Sequence, residues 1–109
     1  MMALKTGDII KTDFSPTSGH EQSGYRPAMV VSVEDVHIRT GMVWVLPITS
    51  ATDKFPTHFP LQTKNGSVTG TVLCEHIKSI DPAGYKKVDE ATHETILKCK
   101  KVIDAITYI

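Results

Sequence analysis

The sequence predicts a mainly β domain of the α+β class: a small, strongly bent antiparallel sheet or partly open barrel of five to seven strands, with a C-terminal helix. Short apolar runs separated by Gly and Pro occupy the first two thirds of the chain, whereas apolar residues at helical spacing occur only after residue 89. A length of 109 residues allows one hydrophobic core and excludes large α/β barrels. We therefore expect residues 1–109 to form one domain.

The first half of the chain contains the strands expected at the centre of the sheet. Residues 8–14 predict a short first strand, and the polar residues 15–25, which include no aliphatic side chain, predict a surface loop. The nearly continuous apolar runs 27–33 and 42–46 lack polar alternation. Such runs are typical of strands that are buried on both faces.

The next third contains weaker strand signals. Residues 57–61 alternate polar and apolar side chains, but Pro60 has no backbone donor, so we expect an edge strand there. Residues 71–74 predict a strand that continues into residues 75–80. The turn sequence Asp-Pro-Ala-Gly at 81–84 then interrupts the pattern.

The chain ends in one predicted helix that begins at Asp89, a residue type favoured at helix N-caps. Glutamates follow near the start of the helix and lysines in its second half, which is the charge order that the helix dipole favours. The apolar stripe expected to pack on the sheet consists of Ile96, Cys99, Ile103 and Ile106.

Composition excludes several classes of protein. The 12 basic and 12 acidic residues cancel, so attraction of nucleic acid would need a local basic groove. No apolar run approaches the roughly 20 residues of a membrane span, and no signal peptide is recognisable, so we expect a cytoplasmic protein. Cys74 and Cys99 have no partner at metal-binding spacing, which predicts two reduced, partly buried thiols and no metal site.

Arg26 is the strongest candidate for chemistry. It lies between a polar loop and a buried strand, and Pro27 stiffens the backbone beside it, so the guanidinium is well placed to hold a phosphate. The alternative is a surface arginine paired with Glu21. Thr49 lies at the end of another buried run, where a hydroxyl more often caps a turn.

Three segments carry a resemblance to a known family. Residues 7–9 and 13–32 (DFSPTSGHEQSGYRPAMVVS) resemble the N-terminal signature of the PemK/MazF toxin family. Residues 47–50 (PITS) resemble its second, strand-end motif, and residues 70–74 with 77–81 resemble its third. The resemblance covers nearly the whole chain.

The resemblance implies a barrel related to the SH3 fold and to CcdB, assembled as a homodimer. It implies a sequence-specific endoribonuclease toxin of a type II toxin–antitoxin system that cuts single-stranded messenger RNA without a metal or other cofactor and so inhibits translation. A cognate antitoxin is the second implied partner, and no membrane is involved.

The resemblance also implies site residues. Arg26 and Thr49 occupy the positions of the family's catalytic arginine and threonine. Some members use a histidine at the position of His20 and a carboxylate at the position of Glu75. This chain departs from those members at Leu73, where they have an arginine.

Metal-free RNA cleavage is simplest when the ribose 2′-hydroxyl attacks the adjacent phosphorus. The reaction needs a base, an acid and donors for the charge that develops on the phosphoryl oxygens. We expect Arg26 to stabilise that charge and Thr49 to hold a non-bridging oxygen. His20 is ranked slightly ahead of Glu21 and Glu75 as the base, because either carboxylate needs a raised pKa or close positioning.

Other side chains near these positions are expected to contact the RNA rather than react with it. The three remaining histidines, His37, His58 and His93, are predicted to be solvated surface groups. The residues expected to bind RNA are Gln22, Tyr25, Ser50, His76 and Lys78.

Two alternative functions stay open at this point. A CcdB-like inhibitor of DNA gyrase has no enzymatic activity, and a related fold does not by itself fix function. A catalytically inactive RNA-binding relative is the other alternative. It is permitted by Leu73 and by His76, which stands where many members of the family have glutamine.

Overall fold

A computed structural model describes residues 3–13, 25–50 and 55–108 of the chain. In these ranges the elements are β1 (Asp8–Asp13), β2 (Tyr25–Val30), α1 (Glu34–Thr40), β3 (Val43–Thr49), β4 (His58–Pro60), β5 (Thr71–Leu73), a 3₁₀ turn (Cys74–His76), β6 (Lys78–Ile80), β7 (Lys86–Glu90) and α2 (His93–Thr107).

The seven strands form one bent antiparallel sheet in the order β4-β5-β3-β2-β1-β7, with β6 also paired to β3. An isolated bridge between Thr63 and Ala91 joins the segment after β4 to the segment after β7. The Lys64 amide donates to the Glu90 carbonyl at 2.8 Å beside it. The segments that follow the two edge strands therefore touch, but β4 and β7 do not pair and the sheet stays open. The predicted antiparallel fold is confirmed, and β4 confirms the predicted edge strand.

The central strands are buried on both faces because two apolar clusters sandwich them. The larger cluster lies between the sheet and α2 and includes Ile9, Met29, Leu46, Ile48, Val72, Cys74 and Cys99. The smaller cluster, on the opposite face, consists of Leu4, Ile10, Ala28, Val30, Val43 and Val45. This arrangement explains the absence of polar alternation in the runs that predicted the central strands. Trp44 is an exception to the predicted burial, with 53% of its surface exposed.

The C-terminal helix begins later than the sequence predicts. Its N-cap is Thr92, whose hydroxyl accepts from the Thr95 amide at 3.3 Å. The predicted N-cap, Asp89, is wrong: it lies in β7, where its buried carboxylate accepts from the Ser67 amide and hydroxyl. The predicted stripe packs only as far as Ile103, because Ile106 is 50% exposed.

Helix α1 is not predicted from the sequence because none of its residues is buried, so it has no apolar stripe to detect. It ends at Gly41, which adopts φ 73° at the C-cap. His37, predicted to be a solvated turn residue, lies within α1 and accepts a hydrogen bond from the Leu4 amide at 2.8 Å.

Cys74 and Cys99 are free, as the sequence predicts, but they are fully buried in the larger cluster rather than partly buried. Contact with the Cys99 thiol, together with burial, raises the pKa of Cys74. No helix in the described part of the chain is long and apolar enough to cross a membrane.

Candidate active site

Strand register aligns polar residues across four neighbouring strands. Thr12 on β1 is the Cα partner of Arg26 on β2, and Thr49 on β3 is the partner of Thr71 on β5. Strands β2 and β3 pair up to Ala28 opposite Pro47, and Arg26 and Thr49 each lie two residues beyond that pair. The same register therefore directs Arg26 and Thr49 to one face of the sheet. We call Thr12, Arg26, Thr49 and Thr71 the polar row.

The polar row lies on the face opposite α2. Ile48 and Val72, the neighbours of Thr49 and Thr71, point into the larger core, so the threonines point away from it. Thr12 is completely buried, whereas Arg26, Thr49 and Thr71 are partly exposed. A fixed guanidinium beside hydroxyl groups on a rigid sheet is thus accessible from outside.

Gly70 allows β5 to approach Thr49 closely. It adopts φ 145°, and a Cβ at this position would lie 2.5 Å from the Thr49 carbonyl oxygen. Any larger residue must therefore move β5 away from β3 or strain the backbone. The glycine thus contributes to the position of Thr49 and Thr71 in the polar row.

A second group of side chains surrounds Glu75 in the 3₁₀ turn, and we call Thr57, His58, Glu75 and His76 the imidazole cluster. The Thr57 hydroxyl donates to Glu75 Oε1 at 2.7 Å. His58 Nε2 lies 2.8 Å from Glu75 Oε2, and His76 Nε2 lies 3.4 Å from the same oxygen. Both carboxylate oxygens are therefore engaged.

The carboxylate of Glu75 is held in its ionised form. Burial raises its pKa, but hydrogen bonds from Thr57 and His58 outweigh that effect and lower the pKa to about 2. To act as the base predicted from the sequence, this carboxylate would need a raised pKa or close positioning to the 2′-hydroxyl. The structure shows the opposite pKa shift.

His58 of the imidazole cluster lies on the face that carries the polar row. His58 is the Cα partner of Leu73, which lies two residues after Thr71 on β5 and so faces the same side. Glu75 follows Leu73 by two further residues. The polar row therefore lies at the start of β5, and the imidazole cluster lies at its end.

The structure brings some of the predicted site residues together. Register groups Arg26 with Thr49, and the 3₁₀ turn groups Glu75 with His76. Ser50 is exposed directly after β3, and Lys78 is exposed on β6 opposite Val45. Tyr25 begins β2. The remaining predicted residues, His20, Glu21 and Gln22, lie outside the described residues.

Four members of these groups are not predicted by the sequence as site residues: Thr12, Thr57, His58 and Thr71. The prediction that His58 is a solvated surface group is wrong, because its side chain is only 5% exposed. His93 is exposed, as predicted. The alternation in residues 57–61 does put His58 on one side of a strand, but its partners come from β5 and the 3₁₀ turn. Such long-range pairing is not encoded in local pattern.

Within the described residues, no group of three or more His, Cys, Asp or Glu side chains is arranged to hold a metal ion. The polar row instead offers a guanidinium and hydroxyls, and the imidazole cluster offers ionisable rings. Guanidinium and hydroxyl groups bind a phosphodiester, and imidazole rings accept or donate protons during its cleavage. Fold and site thus define a small β protein with a candidate phosphodiester site on an exposed sheet face.

Comparison with known proteins places the chain in a family. Residues 5–107 match the model of the PemK-like, MazF-like toxins of type II toxin–antitoxin systems, and the chain belongs to this family. It is 35% identical to the endoribonuclease toxin ChpB of Escherichia coli K12, over 93% of this chain and 95% of ChpB. It is 31% identical to the endoribonuclease EndoA of Bacillus subtilis 168, over 96% of this chain and 92% of EndoA.

Solved structures agree with this assignment. MazF of Deinococcus radiodurans superposes with a TM-score of 0.86 at 27% identity, over 100% of both chains. A MazE–MazF structure from the same organism gives a TM-score of 0.85 at 27% identity, over 97% of this chain and 96% of that one. The family resemblance predicted from the sequence motifs is confirmed.

Proposed function

We propose that this protein is an endoribonuclease toxin of a type II toxin–antitoxin system that cuts single-stranded messenger RNA at specific sequences and thereby inhibits translation. The observation that carries the proposal is the polar row, in which strand register directs Arg26 and Thr49 to one accessible face. Membership of a family that includes endoribonucleases supports it.

The proposed reaction is a transesterification. The 2′-oxygen forms a bond to phosphorus while the bond from phosphorus to the 5′-oxygen breaks, leaving a 2′,3′-cyclic phosphate and a 5′-hydroxyl. One proton leaves the 2′-hydroxyl and one joins the 5′-oxygen. Arg26 stabilises the charge on the phosphoryl oxygens, and the Thr49 hydroxyl holds a non-bridging oxygen. Each group acts from a strand that packing keeps rigid.

We assign the removal of the 2′-hydroxyl proton to His20, with Glu21 as the alternative. Imidazole titrates near neutrality and suits this task. Glu75 is the weaker candidate, since its lowered pKa of about 2 makes it a poor proton acceptor. We assign contacts with neighbouring nucleotides to Gln22, Tyr25, Ser50 and Lys78.

The proposed partners follow the same family. The MazF of Deinococcus radiodurans has been solved together with MazE, and an endoribonuclease from Mycobacterial species in complex with its cognate antitoxin. We propose a cognate antitoxin and a second copy of this chain as protein partners. We further propose that residues 1–109 act as one domain in the cytoplasm, where messenger RNA is translated.

A substrate that lacks one hydroxyl tests the proposed reaction. A single-stranded RNA that the protein cuts is resynthesised with one 2′-deoxynucleotide on the 5′ side of the cut. We expect cleavage at that bond to disappear, because the nucleophile is gone, while the unmodified RNA yields 5′-hydroxyl ends. Cleavage of the modified bond would contradict the proposed reaction. Intact RNA across a broad set of sequences would contradict the proposed function.

A further inference from the structure

The imidazole cluster contains three ionisable groups close to the exposed face, and the proposed reaction needs an acid as well as a base. The question is which of the three, Glu75, His58 or His76, can give a proton to a bound RNA. Such a group must be reachable from outside and must be able to change its protonation near neutral pH.

Glu75 does not meet these conditions. One of its oxygens accepts from the Thr57 hydroxyl at 2.7 Å, and the other lies 2.8 Å from His58 Nε2. A carboxylate held by two donors stays ionised and has no proton to give. Its role is that of a fixed anion.

His58 is reachable from neither side. Its side chain is 5% exposed, and its Nε2 points at the Glu75 carboxylate, which requires the ring hydrogen on that nitrogen. Its Nδ1 is buried and has no hydrogen-bond partner among the described residues. A second ring hydrogen there would be buried without an acceptor. The edge of the ring also packs against Phe55, with ring centroids 5.2 Å apart.

Imidazole is the side-chain type that exchanges protons near neutral pH, and that of His76 is reachable from outside. Its side chain is 56% exposed, and its Nε2 lies 3.4 Å from the same Glu75 oxygen that His58 contacts. The carboxylate therefore lies between two rings: it is hydrogen-bonded to the buried ring of His58 and within ion-pair distance of the exposed ring of His76. A ring held by an anion on its inner side is positioned to present its outer side to a ligand.

We infer that His76 is the general acid of the site, and that Glu75 and His58 are positioning residues behind it. This inference rests on the proposed function. In the reaction, His76 gives one proton to the 5′-oxygen as the bond from phosphorus breaks, and it regains a proton from water afterwards. The base keeps the proton of the 2′-hydroxyl and releases it to water, so no proton or electron is lost overall.

Other charged side chains of the described residues lie on the elements around this turn. The elements packed against the 3₁₀ turn are β3, β4 and α2. Strand β3 has no ionisable residue, and β4 contributes only His58. From α2, Lys98 lies over the Phe59 ring, and Lys100 and Asp104 line a groove beside Ile77. Lys78 follows on β6. Among these groups, Glu75 is the anion in contact with His76.

Kinetics of the variants His76→Gln, Glu75→Gln and His58→Gln, with the whole 109-residue chain and a defined RNA, test the inference. Glutamine can still hydrogen-bond to a base but cannot deliver a proton. We expect His76→Gln to lower kcat about a hundredfold with little change in KM, and to remove the decline of the rate at high pH. His93→Gln, on the exposed start of α2, is the matched control and leaves the rate unchanged.

The positioning residues have a different signature. Glu75→Gln is expected to lower kcat without abolishing cleavage and with little change in KM, because the His76 ring loses the carboxylate beside it while its own chemistry is unchanged. His58→Gln keeps one donor toward Glu75 and is expected to lower kcat less than tenfold. Circular dichroism checks that each variant folds, and His76→Gln changes only an exposed side chain.

Two results would overturn the inference. One is a His76→Gln variant that raises KM but keeps kcat and the pH profile, which is the behaviour of a nucleotide contact. The other is a Glu75→Gln variant that loses all cleavage while His76→Gln keeps it. Both results require a wild-type protein that cuts RNA. A wild type that cuts none would instead count against the proposed function.

Discussion

Thr12 stands out among the single residues because it is fully buried next to Arg26, yet its hydroxyl has no hydrogen-bond partner among the described residues. An unpaired buried hydroxyl costs free energy. We expect Thr12→Val, which has nearly the same shape, to raise the free energy of unfolding by about 1 kcal/mol. Urea denaturation measures the change.

Thr12→Ser is the control for this prediction. It keeps the hydroxyl and removes a buried methyl group, so it should lower the free energy of unfolding by about 1 kcal/mol. If Thr12→Val is less stable than the wild type, the hydroxyl has a stabilising partner and our account of the polar row is wrong at this position.

At the scale of elements, the packing of β5 against β3 depends on Gly70. A Cβ there would meet the Thr49 carbonyl at 2.5 Å, and φ is 145°. We expect Gly70→Ala to lower the free energy of unfolding by roughly 1–3 kcal/mol and to slow RNA cleavage, because β5 must shift from Thr49. Thermal denaturation and cleavage rates measure the two effects.

Gly66→Ala is the matched control, since Gly66 also has a positive φ of 69° but open space around its Cβ position. We expect Gly66→Ala to lower the free energy of unfolding by only about 1 kcal/mol, through backbone strain alone, and to leave the cleavage rate unchanged. Equal effects of the two substitutions on stability and on cleavage would show that the close approach to Thr49 is unimportant.

The strands and helices also show which parts of the fold can be predicted from the local sequence pattern. The buried runs predict β2 and β3 because strands covered on both faces need apolar residues throughout. Helix α1 escapes prediction because it buries nothing. Asp89 has the chemistry of an N-cap, but tertiary contacts with Ser67 recruit it into β7. Local propensity is overridden where a distant segment supplies the partner.

At the scale of the whole molecule, acid should unfold the protein by protonating carboxylates that the fold keeps ionised. Hydrogen bonds from Lys87 and Lys64 lower the pKa of Glu90 to about 2, and the pKa of Glu75 is also about 2. Hydrogen bonds from Ser67 and the Glu90 amide lower that of Asp89 despite its burial. These groups bind protons more readily when the chain is unfolded.

Because the pKa values of these carboxylates are depressed in the folded state, the carboxylates stabilise the fold fully above about pH 5. This stabilisation is lost as the pH falls toward 2. We expect the free energy of unfolding, measured in urea at pH 7, 5, 4 and 3, to drop mainly below pH 5. Glu90→Gln should flatten this drop. A stability that is constant between pH 5 and pH 3 would contradict the assignment.

The geometry of the candidate site could be predicted in part, although the roles of its residues stay predictions. Arg26 and Thr49 are identified by motif and by their places at strand ends, and register then directs them to one face. The imidazole cluster could not be predicted, because His58 and Glu75 are 17 residues apart and meet only through the pairing of β4 with β5. A strand of three residues carries too little pattern to fix its register.

The most direct test of the central claim, that the polar row cuts RNA, compares wild type with Arg26→Ala on mixed-sequence single-stranded RNA in EDTA. End-group analysis identifies the products. We predict 5′-hydroxyl ends from the wild type and a rate about a hundred- to a thousandfold lower for Arg26→Ala. Arg39→Ala, on the exposed surface of α1, is the matched control and should cut like the wild type. An Arg26→Ala protein that cuts as fast as the wild type would contradict the claim.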